Sequence, residues 1–261
     1  MPNYTLGGYA EIAAPADLRP YVDCLWTYAL PAAAAQPATA HRVLQETGVS
    51  LCFVGGSEEP RLIFHGPVRT PRIYRPPAGV EVAAVRLKPE WSRELLGLDP
   101  AEHADAETPL HDPRLGEALM KAPHDAPRIL IDHLRARVAS AKQGRETRLV
   151  FCAFEMARAS RGAVLHVGAL ARRLRVSERQ LRRLARSVAG FGPKYLQSVV
   201  RFNRTVAAAD ATVRPDWAAL ALEMGYYDQP HLIEHVRAFT GCTPVALHAE
   251  RRQQSVRNLQ D

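Results

Sequence analysis

Residues 167–189 and 217–240 carry one layout twice, and that repetition limits the folds open to this 261-residue chain more than any other feature. In the first copy, residues 167–174 read as a short helix, 175–177 as a tight turn and 178–189 as a second helix. In the second copy, residues 217–224, 225–228 and 229–240 repeat that order. Each copy closes on a Gly followed three residues later by a Pro, at Gly190/Pro193 and Gly241/Pro244. A Gly just past a helix adopts the left-handed conformation without a Cβ clash, and a Pro at a first helical position gives up an N–H that has no partner there. Ser177, Asp216 and Asp228 stand where N-caps are wanted, and Gln180 completes a capping box with Ser177. Two helix-turn-helix units are therefore predicted, joined by one long helix over 193–211.

In such a unit the second helix buries one stripe and turns the other toward the major groove of DNA. In the first unit Leu181, Leu184 and Val188 make the stripe, which leaves Arg179, Gln180, Arg182, Arg183 and Arg186 pointing outward beside Ser177. Clustered guanidiniums repel one another unless an anion receives them, and Arg bonds guanine bidentately, with about 1–3 kcal/mol of discrimination per good pair. In the second unit Leu232, Val236 and Phe239 are the buried stripe, and Gln229, His231, Ile233, Glu234 and Arg237 remain for bases or backbone. Glu234 repels phosphate but can accept from cytosine N4, so most affinity is assigned to the first unit and selectivity, or position alone, to the second. The joining helix of about nineteen residues would be about 28 Å long, near the roughly 34 Å of one B-DNA turn. One chain could then read an asymmetric site with two recognition helices.

The charge is distributed to match. Residues 1–144 carry a net −2 and residues 145–261 a net +9, a surplus that steers encounter with a polyanion. No stretch approaches a membrane span and no secretory signal is visible, so a cytoplasmic protein is expected. Cys24, Cys52, Cys152 and Cys242 are scattered and read as free thiols.

The first hundred residues change character. Residues 21–28, 49–54, 61–64 and 80–87 are β-rich and separated by Gly55-Gly56, Gly66-Pro67 and Pro76-Pro77, the spacing of a small sandwich or barrel. Residues 31–40, Ala- and Pro-rich, read as an exposed loop. Beyond Pro89 short helices are expected, one through Trp91, Leu95 and Leu98 and one through Ile131, Leu134 and Val138. The polar run 141–146 marks a domain boundary.

The C-terminal part resembles the AraC/XylS-type transcription regulators over about residues 147–250. The likeness runs through Leu170-Ala171, Val176-Ser177, Leu181, Arg183, Gly190, Pro193, Tyr195-Leu196, Arg201, Gly225-Tyr226, Asp228-Gln229, His231-Leu232, Phe239, Gly241 and Thr243-Pro244. It implies a seven-helix DNA-binding domain in which Arg179, Arg182 and Arg183 fall at base-contacting positions, and an N-terminal cupin-like domain that senses a ligand, dimerises, or both. The chain departs from the family at Glu234, where Arg is usual, at Ala185 and Val236, where Phe is usual, and at Leu247-His248, where Tyr-Arg is common.

The resulting expectation is an α+β two-domain chain. Residues 1–115 form a β-rich, cupin-like sensor and dimerisation domain, 116–144 a helical linker, and 145–261 the all-α double helix-turn-helix domain. Its function is a sequence-specific transcription regulator without catalytic activity or cofactor, with double-stranded DNA, a small-molecule effector, RNA polymerase and a second copy as partners. Trp26, Phe64, Tyr74 and Arg86 are the candidate effector-lining residues, combining aromatic faces with one charged anchor. Two rivals stand beside it, a cupin-type metal enzyme fused to a DNA-binding module and an effector-independent architectural protein. His41, His65, His103 and His111 are the histidines the first would need, but they lack the His-x-His plus Glu grouping such a site draws on.

Overall fold

The computed structural model describes residues 5–6, 8–29, 41–56, 59–75, 77, 79–142, 144–160 and 166–257; the loop expected at 31–40 lies outside them. The N-terminal strands are β1 (Thr5–Leu6), β2 (Tyr9–Ala13), β3 (Val22–Ala29), β4 (His41–Val43), β5 (Val49–Gly55), β6 (Arg61–His65), β7 (Arg72–Tyr74), β8 (Glu81–Leu87) and β9 (Glu107–Pro109). Seven of them make one antiparallel sheet in the order β1-β2-β3-β8-β5-β6-β9, and β4 pairs with β7 in a second, smaller sheet. Among the described residues no ladder joins β1 to β9, so the expected barrel or sandwich takes the form of an open sheet accompanied by a small one.

The period-2 alternation of the strands decides which residues meet the helices. One face sends Leu25, Val49, Leu51, Phe53, Phe64, Ala83, Val85 and Leu87 into a single cluster. It is completed by Trp91 from a 3-10 turn, Leu95 from α1 (Ser92–Leu96), Leu115 and Leu119 from α2 (Pro113–Lys121), and Leu130, Ile131 and Leu134 from α3 (Ala126–Ser140). The α2 helix begins three residues before the helical stretch expected at 116–144; Asp112 caps it by accepting from the Leu115 N–H at 3.0 Å, with Pro113 following as the first helical residue. Residues 116–144, expected as a helical linker, thus lay the apolar sides of α2 and α3 on the sheet.

The remaining helices are α4 (Arg145–Ala159), α5 (Val167–Arg173), α6 (Glu178–Ala189), α7 (Pro193–Asp210), α8 (Trp217–Glu223), α9 (Gln229–Thr240) and α10 (Pro244–Arg257). They surround two cores rather than one. Val150, Phe154, Leu170, Leu181, Leu184, Val188 and Leu196 form the first, and Val199, Phe202, Val206, Leu220, Leu232, Val236 and Phe239 the second. Helix α7 supplies both, Leu196 to the first and Val199, Phe202 and Val206 to the second. An aromatic row crosses between them: Phe154 stacks on Phe191 at 5.5 Å, Phe191 meets Tyr195 at 5.5 Å, and Tyr195 and Phe202 lie 6.4 and 5.0 Å from Phe239. Among the described residues no helix is long and apolar enough to cross a membrane.

Phe202 is fully buried at the centre of the second core. Phe202→Ala is expected to cost about 3–5 kcal/mol through lost burial and a residual cavity. Urea unfolding followed by circular dichroism reads that loss as a fall in the transition midpoint; a midpoint unchanged from wild type contradicts the packing described.

Candidate nucleic-acid interface

The two units are built by the same local devices. Ser177 Oγ accepts from the Gln180 N–H (3.1 Å) ahead of α6, and Asp228 Oδ1 accepts from the His231 N–H (2.8 Å) ahead of α9. Asp216 does the same for α8, accepting from Ala218 and Ala219 at 3.0 Å each. Each turn opens on a left-handed residue, Arg175 (φ 55°) in the first unit and Gly225 (φ 74°) in the second. The next N–H then folds back onto the short helix, Val176 to Ala171 O at 3.0 Å and Tyr226 to Ala221 O at 2.9 Å. A non-Gly residue in that conformation costs about 1–2 kcal/mol, which Arg175 bears because the following bond requires the bend. Gly190 and Gly241 close α6 and α9 in the left-handed conformation, as the sequence led one to expect.

With the caps and turns in place, the buried and outward faces of α6 separate cleanly. Leu181, Leu184, Ala185 and Val188 are buried, while Ser177, Arg179, Gln180, Arg182, Arg183 and Arg186 are all exposed. Glu178 reaches Arg182 one turn on, at 2.7 Å, and neutralises part of its charge. Among the described residues no such pair holds Arg179, Arg183 or Arg186, so three guanidiniums face solvent from one helix. An exposed cationic face of this kind, on a rigid helix with a dry back, is suited to receive phosphates and guanine edges.

Helix α9 is built alike but carries less charge. Leu232, Val236 and Phe239 are buried, Gln229, His231, Glu234 and Arg237 are exposed, and Ile233 is half-buried. His231 is turned partly inward: its Nδ1 accepts from the Tyr227 N–H (3.3 Å) and its ring meets the Tyr226 edge at 5.4 Å. Ala185 is buried in the same core as Phe191, and Val236 in the same core as Phe239.

Behind α9 lies a polar lock that the sequence reading did not single out as such. Arg201 on α7 donates to Gly225 O (3.2 Å) and stands over the Tyr226 ring at 4.7 Å, and the Tyr226 hydroxyl is 2.8 Å from His235 Nδ1 and 3.3 Å from Thr205 Oγ1. Burial, aided by the charge of Arg201, holds the His235 pKa down at about 4, so the ring is neutral at physiological pH. Arg201 and Gly225-Tyr226 stood among the positions of the family likeness, but nothing in the sequence joined them.

The candidate effector residues do not all meet. Trp26 and Arg86 share the sheet face opposite the helices, where Trp26 Nε1 donates to Ser50 Oγ (3.3 Å). Arg86 is held by Glu11 at 2.8 Å and Glu46 at 2.9 Å and donates to Tyr9 Oη at 3.1 Å. Burial pulls the Glu11 carboxyl upward, but Arg86 and the Tyr9 hydroxyl outweigh it and leave its pKa lowered. Tyr74 is exposed on β7. Phe64 must be withdrawn from the set, because its place in β6 turns it into the core on the helix side of the sheet, edge-on to His103 at 5.4 Å. Tyr9, Glu11 and Glu46 also surround Arg86 and nothing local marks them, since Tyr9 and Glu11 reach it through the pairing of β2, β3 and β8 and Glu46 from the segment ahead of β5 that bridges to Val68. Of the histidines considered for a metal, His65 lies 3.7 Å from Glu107 and His103 hydrogen-bonds Thr108 at 2.8 Å. Among the described residues no three His, Cys, Asp or Glu side chains gather into a metal-holding group.

Comparison with known proteins bears on both halves. Residues 170–250 match the family described as "Helix-turn-helix domain", and residues 10–109 match a "Domain of unknown function (DUF6597)". No curated protein matches. Among solved structures, a transcriptional regulator from Chromobacterium violaceum, described with AraC-type DNA-binding domain-containing proteins, is 25% identical over 41% of this chain and 94% of its own, with a TM-score of 0.38. ToxT from Vibrio cholerae O395 is 7% identical over 82% of this chain and 95% of its own, with a TM-score of 0.47. A single-site variant of apo ToxT from V. cholerae strain SCE256 is 8% identical over 95% and 99%, also at 0.47.

The lowered pKa of His235 has a consequence for stability. The folded value lies below the ordinary 6.5, so the neutral ring's contribution is fully present above about pH 6.5 and is lost as the pH falls toward 4. Melting temperatures taken at pH 7.5 and 5 should therefore drop further in the wild type than in His235→Gln; equal drops contradict the assignment.

Proposed function

From the AraC-type helix-turn-helix domain that residues 170–250 form, we propose that this protein is a sequence-specific regulator of transcription that reads double-stranded DNA with α6 and α9 and answers to a small ligand through its N-terminal domain. The carrying observation is the exposed face of α6, where Arg179, Arg183 and Arg186 lie open in front of a dry core. Helix α7, at 18 residues, is about 27 Å long at 1.5 Å per residue, so its two ends suit recognition helices one groove repeat apart.

The division of labour follows the separation of the cores. The buried apolar residues up to Leu134 gather in two clusters on the two sheet faces and those from Val150 onward in two others, so the sensor unit proposed at 1–115 takes in α2 and α3 as well, and 145–261 is the proposed DNA reader. On the sensor side Trp26 and Arg86 remain the effector candidates. Two carboxylates already hold Arg86, so an anionic effector would displace Glu11 or Glu46 to reach it. Action on DNA supports a cytoplasmic location.

Fluorescence anisotropy on a duplex selected from randomised DNA tests the reading. The wild-type chain should favour that duplex over random sequence by about 10³-fold or more. With about six phosphate contacts it should lose on the order of 10³-fold between 50 and 200 mM salt. Arg183→Ala should weaken the selected complex by about 5- to 150-fold, the range of about 1–3 kcal/mol for one bidentate base contact. Glu234→Ala should relax the preference at one base pair and leave binding to random DNA nearly unchanged. A flat salt response, or equal losses for both variants on both DNAs, contradicts the proposal.

A further inference from the structure

Both recognition helices end against the N-terminal domain. The cap carbonyl of α6, Gly190 O, accepts from Arg69 Nη2 at 2.6 Å. At α9, Thr240 O accepts from Arg42 Nη1 at 2.8 Å and Ala238 O from Gln45 Nε2 at 3.3 Å. The last carbonyls of a helix lack intrahelical donors and form the negative end of its dipole, so a guanidinium there is matched in hydrogen bonding and in charge.

The three donors belong to one bracket. Arg42 lies on β4, Gln45 just beyond it, and the Glu46 N–H donates to Val68 O at 3.0 Å, which ties this segment to the one carrying Arg69. Each part of the bracket is pinned. Asp105 Oδ1 accepts from the backbone N–H groups of Arg69 and Thr70 at 2.7 and 3.0 Å, and Glu46 is anchored to Arg86 of β8 at 2.9 Å. Arg42 is further held by Glu250 of α10 at 3.0 Å, and Gln45 Oε1 accepts from the Tyr195 hydroxyl on α7 at 3.4 Å. The fit at the first helix is close: a Cβ on Gly190 would lie 3.0 Å from the backbone nitrogen of Ala101.

We infer that this bracket fixes the separation and tilt of the two recognition helices, which makes Arg42, Gln45 and Arg69 positioning residues for the spacing of the DNA site. The inference rests on the DNA-reading function proposed above. Within the C-terminal half the two units meet through α7 and the aromatic row that runs past Tyr195. A second attachment at the C-terminal end of each recognition helix turns that junction into a frame. The three residues act through helix ends and not through contacts with bases.

The test uses the full chain and the duplex it selects from randomised DNA, together with derivatives carrying one or two extra base pairs between the two footprinted halves. The wild type should lose at least about tenfold per insertion, in the range of one mismatched position. Arg42→Ala/Arg69→Ala should bind the parental duplex within about fivefold of wild type, yet lose less than about threefold per insertion. Arg42→Lys/Arg69→Lys, which keeps a cationic donor at both helix ends, should restore the wild-type penalty. Arg69→Ala alone removes one exposed contact and should show an intermediate penalty, which secures the reading should the double variant fold poorly. Insertion penalties in Arg69→Ala and in the double variant equal to those of the wild type overturn the bracket while leaving DNA reading intact. A wild-type chain that selects no duplex overturns the DNA-reading function and the bracket with it.

Discussion

Everything distinctive in the C-terminal half depends on α7 serving two cores at once. A recognition helix is short and cannot bury enough apolar surface by itself to stay folded, since isolated helices of its length are marginal in water. Here α6 shares a core with α4, α5 and the start of the 18-residue α7, and α9 shares one with the rest of α7. The row Phe154–Phe191–Tyr195–Phe239–Phe202 runs through the junction, so the two cores share packing where they could have been independent. Aromatic pairs at such separations add about 0.5–1.5 kcal/mol each beyond their buried area. The exposed arginines of α6 are tolerable only because this back face holds the helix in place.

The joint between the halves is made differently, from charge. Lys88 and Glu90, both buried beside the 3-10 turn that follows β8, meet Glu155 at 3.0 Å and Arg158 at 2.8 Å on α4. Arg158 also reaches Glu155 at 2.8 Å, closing a four-residue network, and Phe151 lies 5.5 Å from Trp91 beside it. Removing such ions from water costs several kcal/mol apiece, and their mutual bonds offset this only in one geometry. Phe151 of α4 adds an apolar contact with the sheet domain's core beside this charged network. The bracket around Arg42 and Arg69 then completes a contact that runs from α4 to the ends of both recognition helices. The sheet domain thus touches the C-terminal ends of both α6 and α9.

How much of this the sequence could reveal follows from the range of each interaction. Caps, left-handed glycines and 3.6-residue stripes are local, so Ser177, Asp216, Asp228, Gly190 and Gly241 mark the helix ends in the sequence itself. The start of α2 and its break from α3 went unmarked because α2 is short and only Leu115 and Leu119 are buried on it. Phe64 was misplaced because aromatic character says nothing of which strand face a residue takes; that is set by register with β5, where Phe64 pairs with Leu51. Arg42 and Thr240, or Arg69 and Gly190, are far apart in the chain, and no periodicity links them. Arginines that clasp helix ends look in sequence like any surface arginine.

The central claim is that one chain presents two helices to successive major grooves from a single frame. Hydroxyl-radical footprinting of the full chain on its selected duplex addresses this directly. The account predicts two protected windows about 10 base pairs apart on one face of the DNA, matching one helical turn. A single window of about half a turn would contradict it.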